Sequence, residues 1–130
     1  RSRRVAAELK LDVGDEVVQI ETRRLVDEHP AVVATHFLPT AYEPLIEEFT
    51  GPSLHQYLRG RFGLLLARRY SRISAVLPLG DDAQLLQMSR RMPVLRVKSL
   101  NVARDSGRPV EYVISRFRAD AFELRVNFPE

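Results

Sequence analysis

The side chains that offer chemistry interrupt otherwise apolar strand and helix patterns, and the first of them is an arginine. Residues 17–26 alternate as a strand does, and Arg24 shares its side of that strand with Val18, Ile20 and Thr22. This spacing predicts that Arg24 points into the core. Because a buried guanidinium without a partner is very costly, we expect either an internal carboxylate or a bound anion beside it.

The candidate internal partner of Arg24 lies in a second predicted strand, residues 110–118. Glu111 shares one side of this strand with Phe117 and is predicted to point inward. An inward carboxylate there has two possible uses. It forms an ion pair with Arg24, or it accepts hydrogen bonds from the hydroxyl groups of a ligand, and the sequence leaves both alternatives open.

The start of a predicted helix at Ser53 is the third feature. Ser53 and Gln56 have the spacing of a capping box. The first N–H groups of a helix lack partners within it and carry about half a positive charge, which suits an oxyanion. His55 adds a ring nitrogen in the same turn. Serine also caps many helices that bind nothing, so the anion site gains support mainly from the predicted inward Arg24.

Other polar residues give weaker signals. The alternation of its strand is compatible with an inward Arg69, but a twist or bulge of this long strand is the favoured alternative. Arg72 is predicted to face solvent, and His36 is compatible with either side. The three histidines lack the spacing of metal ligands. The sequence contains no HExxH, GxSxG, P-loop or GxGxxG motif. We therefore predict no catalytic set, no metal and no cofactor.

Length and composition are those of one domain. The chain has 130 residues, 45% of them apolar, and no cysteine, which excludes disulfides and zinc–cysteine sites and fits a reducing cytoplasm. No apolar run approaches the roughly 20 residues of a membrane span. The net charge of +3 is too small to indicate nucleic-acid binding, and the basic residues look scattered apart from Arg1, Arg3 and Arg4.

The hydrophobic periodicity predicts an α+β fold. Its two hairpins require an antiparallel sheet, and the helices are expected to pack together on one side of it. Helices are predicted at residues 3–11, 42–49, 53–62 and 82–88, with Pro52 in a helix break, and strands at 17–26, 31–38, 64–77, 93–103, 110–118 and 123–128. Because the chain opens inside a helical pattern, we expect it to be the C-terminal part of a longer protein.

The order of these segments resembles the UTRA domain, the effector-binding half of GntR-type transcription regulators of the HutC branch. The resemblance covers residues 2–128 and is carried by residues 17–25, 31–39, 51–58, 72–75, 93–97 and 107–120. It implies that residues 1–130 form an effector-binding and dimerisation domain with a chorismate-lyase-like fold. It also implies a homodimer and a winged helix-turn-helix domain before Arg1, through which alone the protein would contact DNA.

The resemblance also implies a ligand site for a small anionic effector. By position, the phosphate-type site of the family falls on Arg24, Ser53 and His55, while its acidic and aromatic residues fall on Glu111 and Phe117. Thr22 belongs to the same predicted site, although many sugar-phosphate sensors have a second arginine there. Residues 53–55, Ser-Leu-His, look most like the phosphonate-operon regulators, which suggests a phosphonate or phosphate ester. A ligand-free dimerisation module and a chorismate-lyase-like enzyme are the alternatives.

Overall fold

Five antiparallel strands form one sheet in the order β1-β2-β5-β4-β3. A computed structural model describes residues 3–12, 14–51 and 53–129, so Arg1 of the predicted basic cluster and Pro52 of the predicted helix break lie outside the described residues. The strands are β1 (Val17–Val26), β2 (His29–Pro39), β3 (Leu66–Val76), β4 (Val94–Ala103) and β5 (Pro109–Arg118). The helices in the described part are α1 (Arg3–Glu8), α2 (Glu43–Ile46), α3 (Leu54–Phe62) and α4 (Asp82–Leu85), with a 3-10 turn at Thr40–Tyr42.

Both predicted hairpins are confirmed, since β1 pairs with β2 and β4 pairs with β5. The first hairpin turns more tightly than predicted. Asp27 and Glu28 have φ angles of 50° and 66°, and two successive left-handed residues are typical of a two-residue type I′ turn. Strand β2 therefore begins at His29, two residues before the predicted start.

Helix α3 begins and ends where its sequence signals predict. The Ser53 hydroxyl accepts a hydrogen bond from the Gln56 N–H at 3.2 Å. At the other end, Gly63 has a left-handed φ of 67° and donates its N–H to the Arg59 carbonyl at 3.0 Å. The buried Leu54 and Leu58 hold the helix against the sheet, so its N-terminus has a fixed place above one sheet face.

The helices cover both faces of the sheet, which corrects one detail of the prediction. The α+β class and the antiparallel sheet are confirmed, but the helices do not all pack on one side. Helices α2 and α3 cover the first face, where Leu38, Ile46, Leu54, Leu58, Ala103 and Val110 form a buried cluster. Helix α1 covers the second face through Val5, Leu9, Leu100, Val102 and Tyr112, and α4 joins it there through the cluster of Val33, Leu86 and Val94.

A buried ion pair ties α4 to the second face. The Arg116 guanidinium donates to both carboxylate oxygens of Asp82, from Nε at 3.0 Å and from Nη2 at 3.1 Å. Its Nη1 donates to the Thr35 hydroxyl oxygen at 2.9 Å and to the Ile114 carbonyl at 2.7 Å. The Thr35 hydroxyl in turn lies 2.8 Å and 2.9 Å from the two carboxylate oxygens of Glu21. The second face thus contains a polar network whose main charges are matched.

The predicted final strand at residues 123–128 does not form. This segment has no regular structure, and Leu124, Val126 and Phe128 are 48%, 64% and 82% exposed. Its alternation of apolar residues is that of a strand, but a strand also needs a partner edge. Strand β5, which precedes it, already lies between β2 and β4, and the free edges of the sheet belong to β1 and β3.

Three helices are shorter than predicted. Helix α1 ends at Glu8, α2 spans four residues, and α4 ends at Leu85. Lys10 and Gln87, with φ angles of 58° and 53°, turn the chain out of the helical path shortly after α1 and α4. Among the helices that the structure describes, none combines the length and the apolarity of a membrane span.

Candidate functional site

A cavity of about 250 Å³ lies on the first face of the sheet, beside the N-terminus of α3. It collects five of the six residues that the sequence singles out, namely Thr22, Arg24, Ser53, His55 and Phe117. Residues from β2, β3, β4 and β5 complete the wall, among them Val32, Ala34, His36, Arg68, Val97, Ser99, Val113 and Ser115. Its volume lies just below the ~300 Å³ lower bound of typical ligand pockets, so it suits a compact ligand.

The sixth predicted residue, Glu111, lies beneath the histidines of the cavity and is fully buried. It accepts a hydrogen bond from Nδ1 of His36, one from Nε2 of His55 at 2.6 Å and one from Nδ2 of Asn101 at 2.8 Å. Burial raises the pKa of Glu111, but the hydrogen bonds and positive charges of the two imidazoles outweigh burial and lower it from 4.5 to about 2. Glu111 is therefore an ionised anchor that orients both histidines.

The two histidines present different surfaces to the cavity. His36 is buried, with Nδ1 on Glu111 and Nε2 at 2.9 Å from the Thr22 hydroxyl oxygen. His55 is partly exposed and uses Nε2 for Glu111, so its Nδ1 is free to meet a ligand. Among the described residues, no group of three or more His, Cys, Asp or Glu side chains is arranged to hold a metal ion.

Arg24 lines the cavity but is exposed, which corrects the prediction that it is buried in the core. The register of the sheet shifts between Arg24 and Leu25, near the free end of the edge strand β1. No ion pair joins Arg24 to any described residue, and Glu111 is held by His36 and His55 instead. The predicted alternative of an Arg24–Glu111 pair is therefore wrong, and solvent at the cavity mouth accommodates the guanidinium.

Two further arginines, Arg23 and Arg68, line the cavity, and Arg68 immediately precedes Arg69, for which the sequence left an inward orientation possible. Arg68 lines the cavity and donates from Nε to the Asn101 side-chain oxygen at 3.3 Å. A register shift between Arg68 and Tyr70 reverses the alternation of β3, so the possible inward orientation of Arg69 is wrong. Arg69 is exposed and approaches Gly107.

Sequence reasoning missed three site residues, His36, Arg68 and Asn101. His36 alternates with the apolar Ala34 and Leu38, which is a signal for the inward side, although its position at the hairpin was compatible with either side. Asn101 is a buried polar residue within an apolar strand, and its apolar neighbours in the sequence likewise indicated an inward position. Arg68 gave none, because a bulge is not visible in alternation.

The start of α3 supplies further donors at the cavity. Ser53 and His55 both line it, and the Ser53 hydroxyl accepts from the Gln56 N–H while keeping its own hydrogen to donate. The first N–H groups of a helix have no partners within it. Together with Arg24 and Arg68, these groups place positive charge and hydrogen-bond donors along the cavity lining. Such a combination favours a compact oxyanion.

Comparison with known proteins identifies the family of the chain. The family model of the UTRA domain matches residues 1–123. The probable transcriptional regulator PhnF of Escherichia coli (strain K12) is 32% identical over 121 residues, which are 92% of this chain and 50% of that protein. The chain thus spans about half the length of the curated relatives it matches.

Two solved structures are similar over nearly the whole chain. The crystal structure of a PhnF C-terminal domain has a TM-score of 0.90 and 30% identity, and the match covers 98% of this chain and 81% of that one. The effector domain of PhnF from Mycobacterium smegmatis has a TM-score of 0.86 and 25% identity, with 100% and 80% covered.

These similarities confirm the predicted UTRA fold, which is chorismate-lyase-like, and they confirm a regulatory domain rather than an enzyme. The chain belongs to the UTRA domain family and is an effector domain of the kind found in GntR-family transcriptional regulators.

Proposed function

We propose that this domain senses a small anionic ligand and that the ligand binds in the cavity beside α3. The observation that supports this most directly is that Arg24, Ser53 and His55 all line one cavity. Arg24 has no partner among the described residues, which leaves its guanidinium free for a ligand. The internal Arg24–Glu111 pair of the ligand-free alternative is not formed, because Glu111 is bound by His36 and His55.

We further propose that the ligand is a phosphonate, a phosphate ester or a similar compact anion. The guanidinium of Arg24 suits two oxygens of such a group, while the start of α3 and the free Nδ1 of His55 suit the third. Among the residues that line the cavity, Val97, Val113 and Phe117 offer apolar surface for a short organic part. Thr22 is engaged with His36 and contributes to the site by fixing that ring.

In the complete regulator, binding of the ligand must change the affinity of the protein for DNA. We propose a cytoplasmic HutC-branch protein in which a winged helix-turn-helix domain precedes this one and alone contacts the operator. A ligand changes operator affinity only if it binds two arrangements of the protein unequally. A coupling free energy of about 1–3 kcal/mol is typical of such regulators.

A panel of ligands tests the cavity assignment. We expect phosphate, aminoalkylphosphonates or sugar phosphates to raise the melting temperature, while plain sugars do not. A ligand at about 100 times its Kd adds about 2.7 kcal/mol to stability, which corresponds to a shift of several degrees. Arg24→Ala is expected to abolish the shift without lowering the melting temperature of the free protein, because Arg24 is exposed and unpaired.

Arg90→Ala is the matched control, since Arg90 is also exposed but lies in the loop after α4. It is expected to keep the full ligand response. If Arg24→Ala bound the same ligand with unchanged affinity, the cavity would not be the site. The panel also includes urocanate, which is a carboxylate. If urocanate alone shifted the melting temperature, the ligand would be a carboxylate and not a phosphonate or a phosphate ester.

We also propose that the domain is a homodimer. Support comes from the exposed apolar segment at 124–128 and from the free edge of β3, near which Ile73, Leu77 and Leu79 are exposed. An unpaired strand-like segment and an unpaired edge are complementary surfaces. If each copy paired its segment 124–128 with the β3 edge of the other copy, both surfaces would be buried.

Analytical ultracentrifugation measures the assembly directly. We expect twice the chain mass of 14.9 kDa, and we expect Val126→Asp to shift the protein toward the monomer while leaving its circular dichroism unchanged. Asn127→Asp adds the same charge one residue along and is expected to perturb the dimer less, because its side chain points to the other side of an extended segment. A monomeric wild type at high concentration would contradict the dimer.

A further inference from the structure

A cluster of cations on the second face of the sheet takes no part in the ligand cavity. The strand register places Arg72 opposite Lys98 and Ser74 opposite Arg96. These residues alternate with Val97 and Ser99, which line the cavity on the first face. Three positive side chains from β3 and β4 therefore lie together on the face that α1 and α4 cover. Arg96 and Lys98 are two residues apart in β4, but Arg72 joins them only through the pairing of β3 with β4, which local sequence patterns do not show.

No carboxylate of the described residues forms an ion pair with this cluster. No salt bridge involves Arg72, Arg96 or Lys98. Burial lowers the pKa of Lys98, and the positive charges of Arg96, Arg4 and Arg72 lower it further. Like charges directly opposite each other destabilise a sheet. The three positive side chains therefore repel one another.

Two acidic groups of this face are directed elsewhere, since Asp82 is bound through both oxygens by Arg116 and Glu21 accepts from the Thr35 hydroxyl. Glu8 is closer to the cluster. Burial and the charge of Glu8 raise the pKa of Tyr112, while the charges of Arg4, Arg72 and Arg96 lower it, but Glu8 forms no salt bridge with Arg72 or Arg96. None of these carboxylates forms a hydrogen bond with the cation cluster among the described residues.

Two buried donors at the cluster are also unpaired. Nε of Arg96 and the hydroxyl of Tyr70 have no hydrogen-bond partner and are shielded from bulk water. Tyr70 belongs to the cluster through Arg72, whose guanidinium lies 5.5 Å from the Tyr70 ring centroid. Buried polar groups are rarely left without a partner in native proteins, so this pair of donors points to a ligand that brings acceptors.

We propose that Arg72, Arg96 and Lys98 form a second anion site, on the face opposite the effector cavity, which binds a compact phosphate-type oxyanion. Such an anion carries more than one negative charge and several acceptor oxygens. It would offset the repulsion among the three cations and give acceptors to guanidinium and ammonium donors. A compact anion fits better than a duplex backbone, because two of the unpaired donors are buried.

Nuclear magnetic resonance titration with inorganic phosphate tests this site apart from the effector cavity. We expect saturable shifts of the backbone amides of Arg72, Arg96 and Lys98, both in the wild type and in Arg24→Ala. Arg72→Gln and Lys98→Gln are each expected to weaken this binding about tenfold, the usual size of a lost charge-assisted hydrogen bond. Arg90→Gln, an exposed arginine away from the cluster, is expected to leave it unchanged.

Three results would overturn the second site. Phosphate shifts confined to residues around Arg24 and Ser53 would leave only the cavity. Shifts that do not saturate and that chloride reproduces at equal ionic strength would show general screening. Tighter binding of a non-specific DNA duplex, with a steep salt dependence and no saturable phosphate binding, would make this face a nucleic-acid surface instead. If phosphate shifted the amides of the cation cluster but not those around the cavity, the result would count against the proposed effector site and not against this one.

Discussion

Asp82→Ala is expected to lower the free energy of unfolding by about 3–5 kcal/mol, the usual cost of breaking a buried ion pair by removing one partner. The Arg116 side chain is only 10% exposed, so water does not replace the lost carboxylate. Because Asp82 is also the first residue of α4, the helix loses its anchor to the second face. Urea unfolding followed by circular dichroism measures the loss.

Two further variants separate the buried charge from other effects of the substitution. Glu48→Ala removes one partner of an ion pair with Arg61 whose side chains are 76% and 56% exposed, and such a surface pair is worth at most about 1 kcal/mol. The double variant Asp82→Ala with Arg116→Met removes the uncompensated charge. It is expected to recover part of the lost stability. A double variant no more stable than Asp82→Ala would show that Arg116 contributes through its bonds to Thr35 and Ile114 instead.

Local signals in the sequence predicted the local structure well. Ser53, Gln56 and Gly63 mark the two ends of α3 because caps and left-handed glycines act within one helical turn. Both hairpins follow from alternation interrupted by turn residues. These features depend on neighbours a few residues apart, and such neighbours are visible in a sequence.

The depth of a side chain was harder to predict than the side to which it points. Alternation placed Arg24 on the cavity side of β1, and the structure agrees on that point. Burial, however, depends on what lies beyond the strand, and β1 is an edge strand whose register shifts at Arg24. The same limit explains why the predicted strand at residues 123–128 does not form. Its alternation suits a strand, but β5, which precedes it, already has a strand on each side.

The partners of Glu111 depend on the strand order, which local patterns do not determine. His36 and His55 come from β2 and α3, and Asn101 comes from β4. They meet because β5 lies between β2 and β4. The sequence predicted an inward carboxylate at residue 111 but offered Arg24 as its partner, since nothing local showed that a histidine 75 residues away would face it.

Glu111 is expected to make the stability of the domain fall in acid. Its pKa is about 2 in the folded protein and 4.5 ordinarily. A group with a depressed folded pKa stabilises the fold fully above its unfolded pKa, and this contribution disappears as the pH falls from about 4.5 to about 2. A difference of this size corresponds to about 3 kcal/mol, so Glu111 is expected to contribute measurably to the loss of stability in acid.

Comparison of the wild type with Glu111→Gln isolates this contribution from that of the other carboxylates. The glutamine has nearly the same shape but carries no charge and turns an N–H₂ group toward histidine donors, so the variant is expected to be about 3 kcal/mol less stable near neutral pH. Urea unfolding from about pH 6 to about pH 2.5 should show this difference shrinking as Glu111 of the wild type becomes protonated. Glu48→Gln, at an exposed position, should follow the wild type throughout. A difference that stays constant over this range would mean that Glu111 contributes by packing and hydrogen bonding alone, and that its ionised form is not what orients His36 and His55.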